Sequence, residues 1–175
     1  MVGCLNVNYS MYNFKQYRDV VYKIIGASMK VHDVLKWGLL EPVYQEALHL
    51  ELEDRGIENV REKEITCFYK HHQLDKKYKM DIVVDDVIVE LKSVKEIIPA
   101  HRAQLFNYLR LTKQPVGLLI NFGNSSLQGE RYAFIEETNE CILLDKDMNL
   151  LIEEDVDSDY EPDWDEMNSS SNSND

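Results

Sequence analysis

The sequence predicts an α/β domain: a mixed β-sheet flanked by helices, in the order αα-βββ-α-β plus short edge strands. Three observations carry this prediction. Apolar residues recur at helical spacing as far as Gly56. From Val60 the apolar period shortens to that of strands. A helical stretch then separates the third strand from the fourth, which suits a parallel crossover.

Each element has its own local signal. Val20, Val21, Ile24, Ile25, Met29, Val31, Val34 and Leu35 place an apolar stripe on a helix from Tyr17 to Lys36, and Gly38 stops it. A second helix begins at Glu41–Pro42, because proline is tolerated in a first turn where no donor is lost. Tyr44, Ala47, Leu48 and Leu52 form its buried stripe, and it ends at Gly56. Val60–Tyr69 and Gln73–Val84 read as strands, Asp85–Asp86 as a turn, and Val87–Val94 as a third strand apolar on both faces. Pro99 opens a helix reaching about Leu111, and Pro115–Phe122 is a buried strand. After a loop over Gly123–Gly129, Tyr132–Ile135 and Cys141–Leu144 read as short edge strands.

Composition divides the chain. Of its 175 residues 44% are hydrophobic, enough for one domain with a core. The net charge of −13 is concentrated at one end. From Asp145 to Asp175 there are 12 acidic residues and one basic, leaving 20 acidic and 18 basic residues in the body. We therefore divide the chain into an N-terminal extension over 1–16, a domain over 17–152 and an acidic tail over 153–175. The tail has too little to bury to repay its ordering entropy, so it is expected to be disordered. No apolar run is long enough to span a membrane, and the N-terminus lacks the layout of a signal peptide. The three cysteines form neither a zinc pattern nor a disulfide framework. A reducing, cytoplasmic location is expected.

Charged residues interrupt the apolar middle of the chain. Glu90 and Lys92 alternate onto one face of the third strand, with Val89 and Leu91 on the other. A hairpin at Asp85–Asp86 returns Asp81 toward Glu90 or Lys92. Two carboxylates meeting in a partly buried place repel, and a divalent cation between them relieves the cost. Mg²⁺ takes one or two carboxylates plus waters and substrate phosphate. An adjacent lysine can orient or deprotonate an attacking water, or neutralise a phosphate. The chemistry implied is metal-assisted phosphodiester hydrolysis. On spacing alone a second account stands beside it: a solvated Glu–Lys pair on an exposed sheet face. On the helix that follows, His101, Gln104 and Tyr108 fall on one face that could overlook the site, while Leu105, Phe106 and Leu109 can face the core. Glu41 begins its helix, where an acid is favoured by the helix dipole whether or not it has a function.

These residues resemble a known family. Gly38-Leu-Leu-Glu41-Pro-Val-Tyr44 matches the pattern of the GxxExxY proteins, which resemble the PD-(D/E)XK nuclease superfamily with its restriction-endonuclease-like core. The resemblance runs from about Ile25 to Phe122 through GASMKVHDVL, GLLEPVYQEAL, the Asp81 segment, VIVELKSV, AQLFNYLR and GLLINFG. It implies Asp81 and Glu90 as metal ligands and Lys92 as the catalytic lysine. Glu41 is similar to the early-helix acid that supports the metal in several branches. Gln104-Leu-Phe-Asn-Tyr108 looks like the Q-xxx-Y motif of RecB-type and λ-exonuclease-like nucleases, where Gln and Tyr arrange the site and the nucleic-acid backbone. Met80 stands where the superfamily name has proline.

The resemblance implies a Mg²⁺- or Mn²⁺-dependent nuclease acting on DNA, or a silent nuclease-fold module that binds nucleic acid or a protein partner. Two segments carry basic charge: Arg61–Lys79 with net +3 and Lys92–Lys113 with net +4. They could line a phosphate path or be solvated faces. The acidic tail could engage a protein partner, compete with DNA for basic surface, or add solubility. Oligomeric state is left open by the sequence.

Overall fold

The structure, a computed structural model, describes residues 8–152; Cys4 and the tail over 153–175 lie outside the described residues. Helices α1 (Arg18–Leu35) and α2 (Glu41–Asp54) precede strands β1 (Val60–Tyr69), β2 (His72–Val84) and β3 (Val87–Lys92). Helix α3 (Pro99–Thr112) leads to β4 (Val116–Asn121), β5 (Gln128–Ile135) and β6 (Glu140–Leu144). The strands form one mixed sheet in sequential order. Among the described strands only the β3–β4 pair is parallel, joined by the helical crossover expected from the sequence.

Two apolar layers sandwich the sheet. Val21, Ile24, Ile25, Leu48 and Leu52 of α1 and α2 join Ile82, Val89, Leu91, Leu118 and Ile120 in one cluster. Leu105, Tyr108 and Leu109 of α3 join Ile88, Leu119 and Phe134 in the other. Strands β3 and β4 are therefore buried along their whole length, as suits the parallel centre of a sheet covered on both faces.

Several expectations change. Val34, assigned to the buried stripe of α1, is 64% exposed, since its side of the last turn has no layer above it. Tyr132–Ile135 is no edge strand. It belongs to the longer β5, which pairs with both β4 and β6 and begins inside the expected loop. Strand β3 stops at Lys92 instead of Val94, because the Asn121 side chain takes both backbone groups of Val94: its Oδ1 accepts from the amide at 3.0 Å and its Nδ2 donates to the carbonyl at 2.8 Å. Residues 8–16 pack against the domain. Phe14 is buried in the first cluster, and the Tyr9 hydroxyl donates to Glu140 Oε2 at 2.7 Å. Among the described residues, no helix is long and apolar enough to cross a membrane.

Candidate active site

Strands β2 and β3 pair only over Ile82–Val84 and Val87–Val89. Beyond that they part, and β2 continues with β1 as its one neighbour. Asp81 stands at this fork. The β1–β2 register runs unchanged past it, with Arg61 opposite Ile82 and Lys63 opposite Met80, but Glu62 between them adopts a left-handed φ of 51°. The alternation of faces breaks here as well, since Met80 and Val83 fall in the same apolar cluster. Such an irregularity re-aims a side chain at a strand end.

The fork supplies the partners of Asp81. Its Oδ2 accepts the Leu91 amide at 2.8 Å, a donor that no β2 backbone carbonyl reaches once the strands have parted. Its Oδ1 accepts Gln45 Nε2 of α2 at 3.0 Å. Gln45 was not among the residues the sequence pointed to. The signal that could have found it is its i, i+4 spacing from Glu41 on α2, which places both on one helical face.

Glu90 and Lys92 do share a face of β3, and both are buried. This replaces the solvated-pair account: Glu90 has no exposed surface, and Lys92 is 6% exposed. Lys92 Nζ donates to Glu90 Oε1 at 2.6 Å and to the Leu91 carbonyl at 2.8 Å, and lies 3.7 Å from Glu41 Oε2. Glu90 Oε2 is buried with no hydrogen-bond partner. An unsatisfied buried carboxylate oxygen is costly.

Charge at the fork is unbalanced. Burial and then the neighbouring Asp81 push the Glu90 carboxyl up to about 8, against the pull of Lys92. Burial also raises Asp81, opposed by the Leu91 amide. Glu41 is raised by burial too, with Lys92 opposing. Burial pulls the Lys92 ammonium down, but Glu90, Glu41 and Asp81 together carry it above its ordinary value. One ammonium faces three carboxyls in this setting, and burial favours the neutral form of Glu90.

Glu41 is aimed by the turn before α2. Gly38 holds a φ of +95°, which a side chain would strain. The Tyr44 hydroxyl donates to the Lys36 carbonyl at 2.8 Å and accepts the Leu39 amide at 3.2 Å. The Tyr44 ring stacks on Phe122 with centroids 4.6 Å apart. From the other side, Ser93 Oγ donates to the Leu39 carbonyl at 2.6 Å. The spacing of Gly38, Glu41 and Tyr44 is thus one device: a turn, an acid at its end, and a lock one helical turn further on.

Gln104 and Tyr108 lie together on α3, with Gln104 Nε2 donating to the Tyr108 hydroxyl at 3.0 Å. Tyr108 packs in one cluster with Met80, the neighbour of Asp81, so the ring borders the fork, and burial raises its pKa. Among the described residues, no hydrogen bond joins either side chain to Lys92, Glu90 or Asp81. Tyr108 also belongs to the core with Leu105 and Leu109, a burial that helical spacing alone did not resolve. His101 accepts the Ile98 amide on Nδ1 at 3.2 Å, and its pKa is lowered by burial and then by Lys92.

Among the described residues, no group of three or more His, Cys, Asp or Glu side chains is drawn together so as to hold a metal ion. The donors at the fork nevertheless suit a hard divalent cation. Asp81 and Glu90 offer carboxylate oxygens, and Glu90 Oε2 is buried without a partner. Mg²⁺ characteristically uses one or two carboxylates and leaves its other positions to water and phosphate.

A family model described as the PD-(D/E)XK nuclease superfamily matches residues 18–132. No curated protein matches the chain. The crystal structure of SSO0001 is similar to it with a TM-score of 0.45 at 14% identity, covering 71% of this chain and 64% of that one. The chain therefore spans less than two thirds of that protein's length.

Proposed function

The chain belongs to the PD-(D/E)XK nuclease superfamily, and from that premise we propose that it is a divalent-metal-dependent nuclease hydrolysing DNA phosphodiester bonds at the β2–β3 fork. The finer GxxExxY assignment is part of the same proposal and rests on Gly38, Glu41 and Tyr44. The observation that carries the reading is Glu90 Oε2, buried without a partner beside an ammonium and a second carboxylate.

Asp81 and Glu90 would hold Mg²⁺ or Mn²⁺, supported by Glu41. The bound cation would polarise the scissile phosphate and lower the pKa of a coordinated water. The chain's own groups then have separable tasks. Gln45 and the Leu91 amide fix the orientation of the Asp81 carboxylate. Lys92 places a positive charge and a proton donor where the attacking water and the phosphate meet. The Leu91 carbonyl, which accepts from Nζ, would hold the ammonium in place if Glu90 bound a cation. Gln104 fixes the Tyr108 hydroxyl at the border of the site, where it is a positioning group for the nucleic-acid backbone.

The test is cleavage of labelled single-stranded, duplex and branched DNA with Mg²⁺, Mn²⁺ or EDTA, alongside Lys92→Ala. We expect metal-dependent cleavage in the wild type and a loss of at least about a hundredfold in the variant, the scale of one proton-transfer or electrostatic group. Equal cleavage by both proteins would remove Lys92 from the chemistry. Metal binding without cleavage of any substrate would favour a binding module that keeps the fold.

A further inference from the structure

The hairpin of β1 and β2 extends beyond the sheet. From His72 to Asp81, β2 has β1 alone as a strand neighbour, because β3 pairs only from Ile82 onward. At about 3.3 Å per residue this two-stranded ribbon runs roughly 30 Å from the fork. One face of it is seated on α3 through Ile65, Cys67 and Met80, all buried. On β2 the far stretch is open: residues 72–77 are all exposed.

The open part is basic and aromatic. In a body whose charges nearly cancel, Arg61–Lys79 carries net +3. Among the described residues, no carboxylate lies within ion-pair distance of Lys70, Lys76 or Lys79, while Lys77 meets Glu64 at 3.2 Å on the surface. A solvated pair of that kind is weak and easily exchanged for a phosphate. Phe68 and Tyr69, near the turn, are 62% and 61% exposed. Lysine ammonium groups lie over two of the ribbon's rings: Lys70 over Tyr69 at 5.5 Å and Lys76 over Tyr78 at 5.4 Å. Tyr78 in turn meets Tyr108 of α3 edge-on at 6.2 Å.

Exposed rings among lysines match what an unpaired strand offers: π-faces to stack and phosphates to neutralise. A duplex hides its bases inside the stack and offers phosphates and groove edges, leaving exposed Phe68 and Tyr69 without a natural partner. We propose that the β1–β2 ribbon is a binding arm for single-stranded nucleic acid, leading an unpaired strand to the fork. The inference rests on the nucleic-acid reading of the fork and names the form of the substrate.

The experiment separates the two. Binding of the full chain to labelled oligo-dT and to a duplex of equal length is measured in EDTA, so that no turnover is needed. Phe68→Ala/Tyr69→Ala should weaken oligo-dT binding at least about fivefold, the loss expected from one stacked base, with duplex binding little changed. Lys76→Ala/Lys79→Ala should flatten the salt dependence by roughly 0.7 in log–log slope for each phosphate no longer neutralised. All four residues are at the surface, and an unchanged melting temperature confirms that the variants are folded. Oligo-dT binding unaltered in both variants, no oligo-dT binding by the wild type, or an equal loss on duplex and single strand would each overturn the proposal. Ribbon-dependent binding in a protein that never cleaves would overturn the nuclease reading and leave the arm standing.

Discussion

Glu90 concentrates the electrostatics of the fork, and its protonation should be visible in stability. An ordinary glutamate titrates at 4.5, whereas burial and Asp81 hold this one near 8. Between those values the folded chain retains a proton that the unfolded chain has released. The stability this group contributes is therefore complete below about pH 4.5 and is lost as the pH rises through 8. Melting of the metal-free protein across that window should show a declining midpoint, with a loss of up to about 5 kcal/mol, at about 1.4 kcal/mol per pH unit between the two values. Glu90→Gln cannot ionise and should flatten the decline. Parallel curves for the two proteins would assign the decline to other groups. Added Mn²⁺ should restore the midpoint most at high pH, since a cation competes with the proton for the carboxylate.

The turn into α2 shows how an element places an acid. Tyr44 uses one hydroxyl to satisfy the Lys36 carbonyl and the Leu39 amide on either side of Gly38. Tyr44→Phe keeps the stack on Phe122 and removes both hydrogen bonds. We expect about 1–3 kcal/mol of lost stability in urea denaturation, the range for stranded polar groups. We also expect cleavage to fall with little change in DNA affinity, because Glu41 is no longer aimed at Lys92. Unchanged stability would mean that water replaces the hydroxyl. Beside this turn, just beyond Ser93, Gly123 lies so close to the Val94 backbone that a Cβ would collide with its carbonyl oxygen. Together with Asn121, this close approach ends β3 just after Lys92. The lysine thus stands at the last residue of a rigid central strand, a more exact support than a loop.

For the molecule as a whole, charge is divided between a nearly balanced body and an acidic C-terminal stretch. Acidic segments raise solubility, and one facing a basic arm could also compete with a polyanion. The body's net charge leaves little long-range attraction, so DNA binding should depend on local lysines and fall steeply with salt. Truncation after residue 152 should leave DNA affinity at low salt unchanged while lowering solubility. Tighter binding by the truncated protein would identify the tail as a competitor for the basic surface.

Element order and the parallel β3–β4 pair were legible in the amino-acid sequence, because apolar periodicity and the length of a connection follow from local chemistry. Asp81, Glu90 and Lys92 were legible too, since charges inside an apolar strand run stand out in one dimension. Glu41 and Tyr44 could be read from their spacing, but the hydroxyl that joins the two sides of the turn could not. Where β2 leaves β3 emerged only in three dimensions, and with it the partners of Asp81, the recruitment of Gln45 and the buried, unpartnered oxygen of Glu90. The interior place of β5 and the reach of the β1–β2 ribbon belong to the same group. One cause underlies all of these. Strand pairing and the burial of a charge depend on neighbours distant in sequence, and periodicity reports the face a residue occupies but not what covers it.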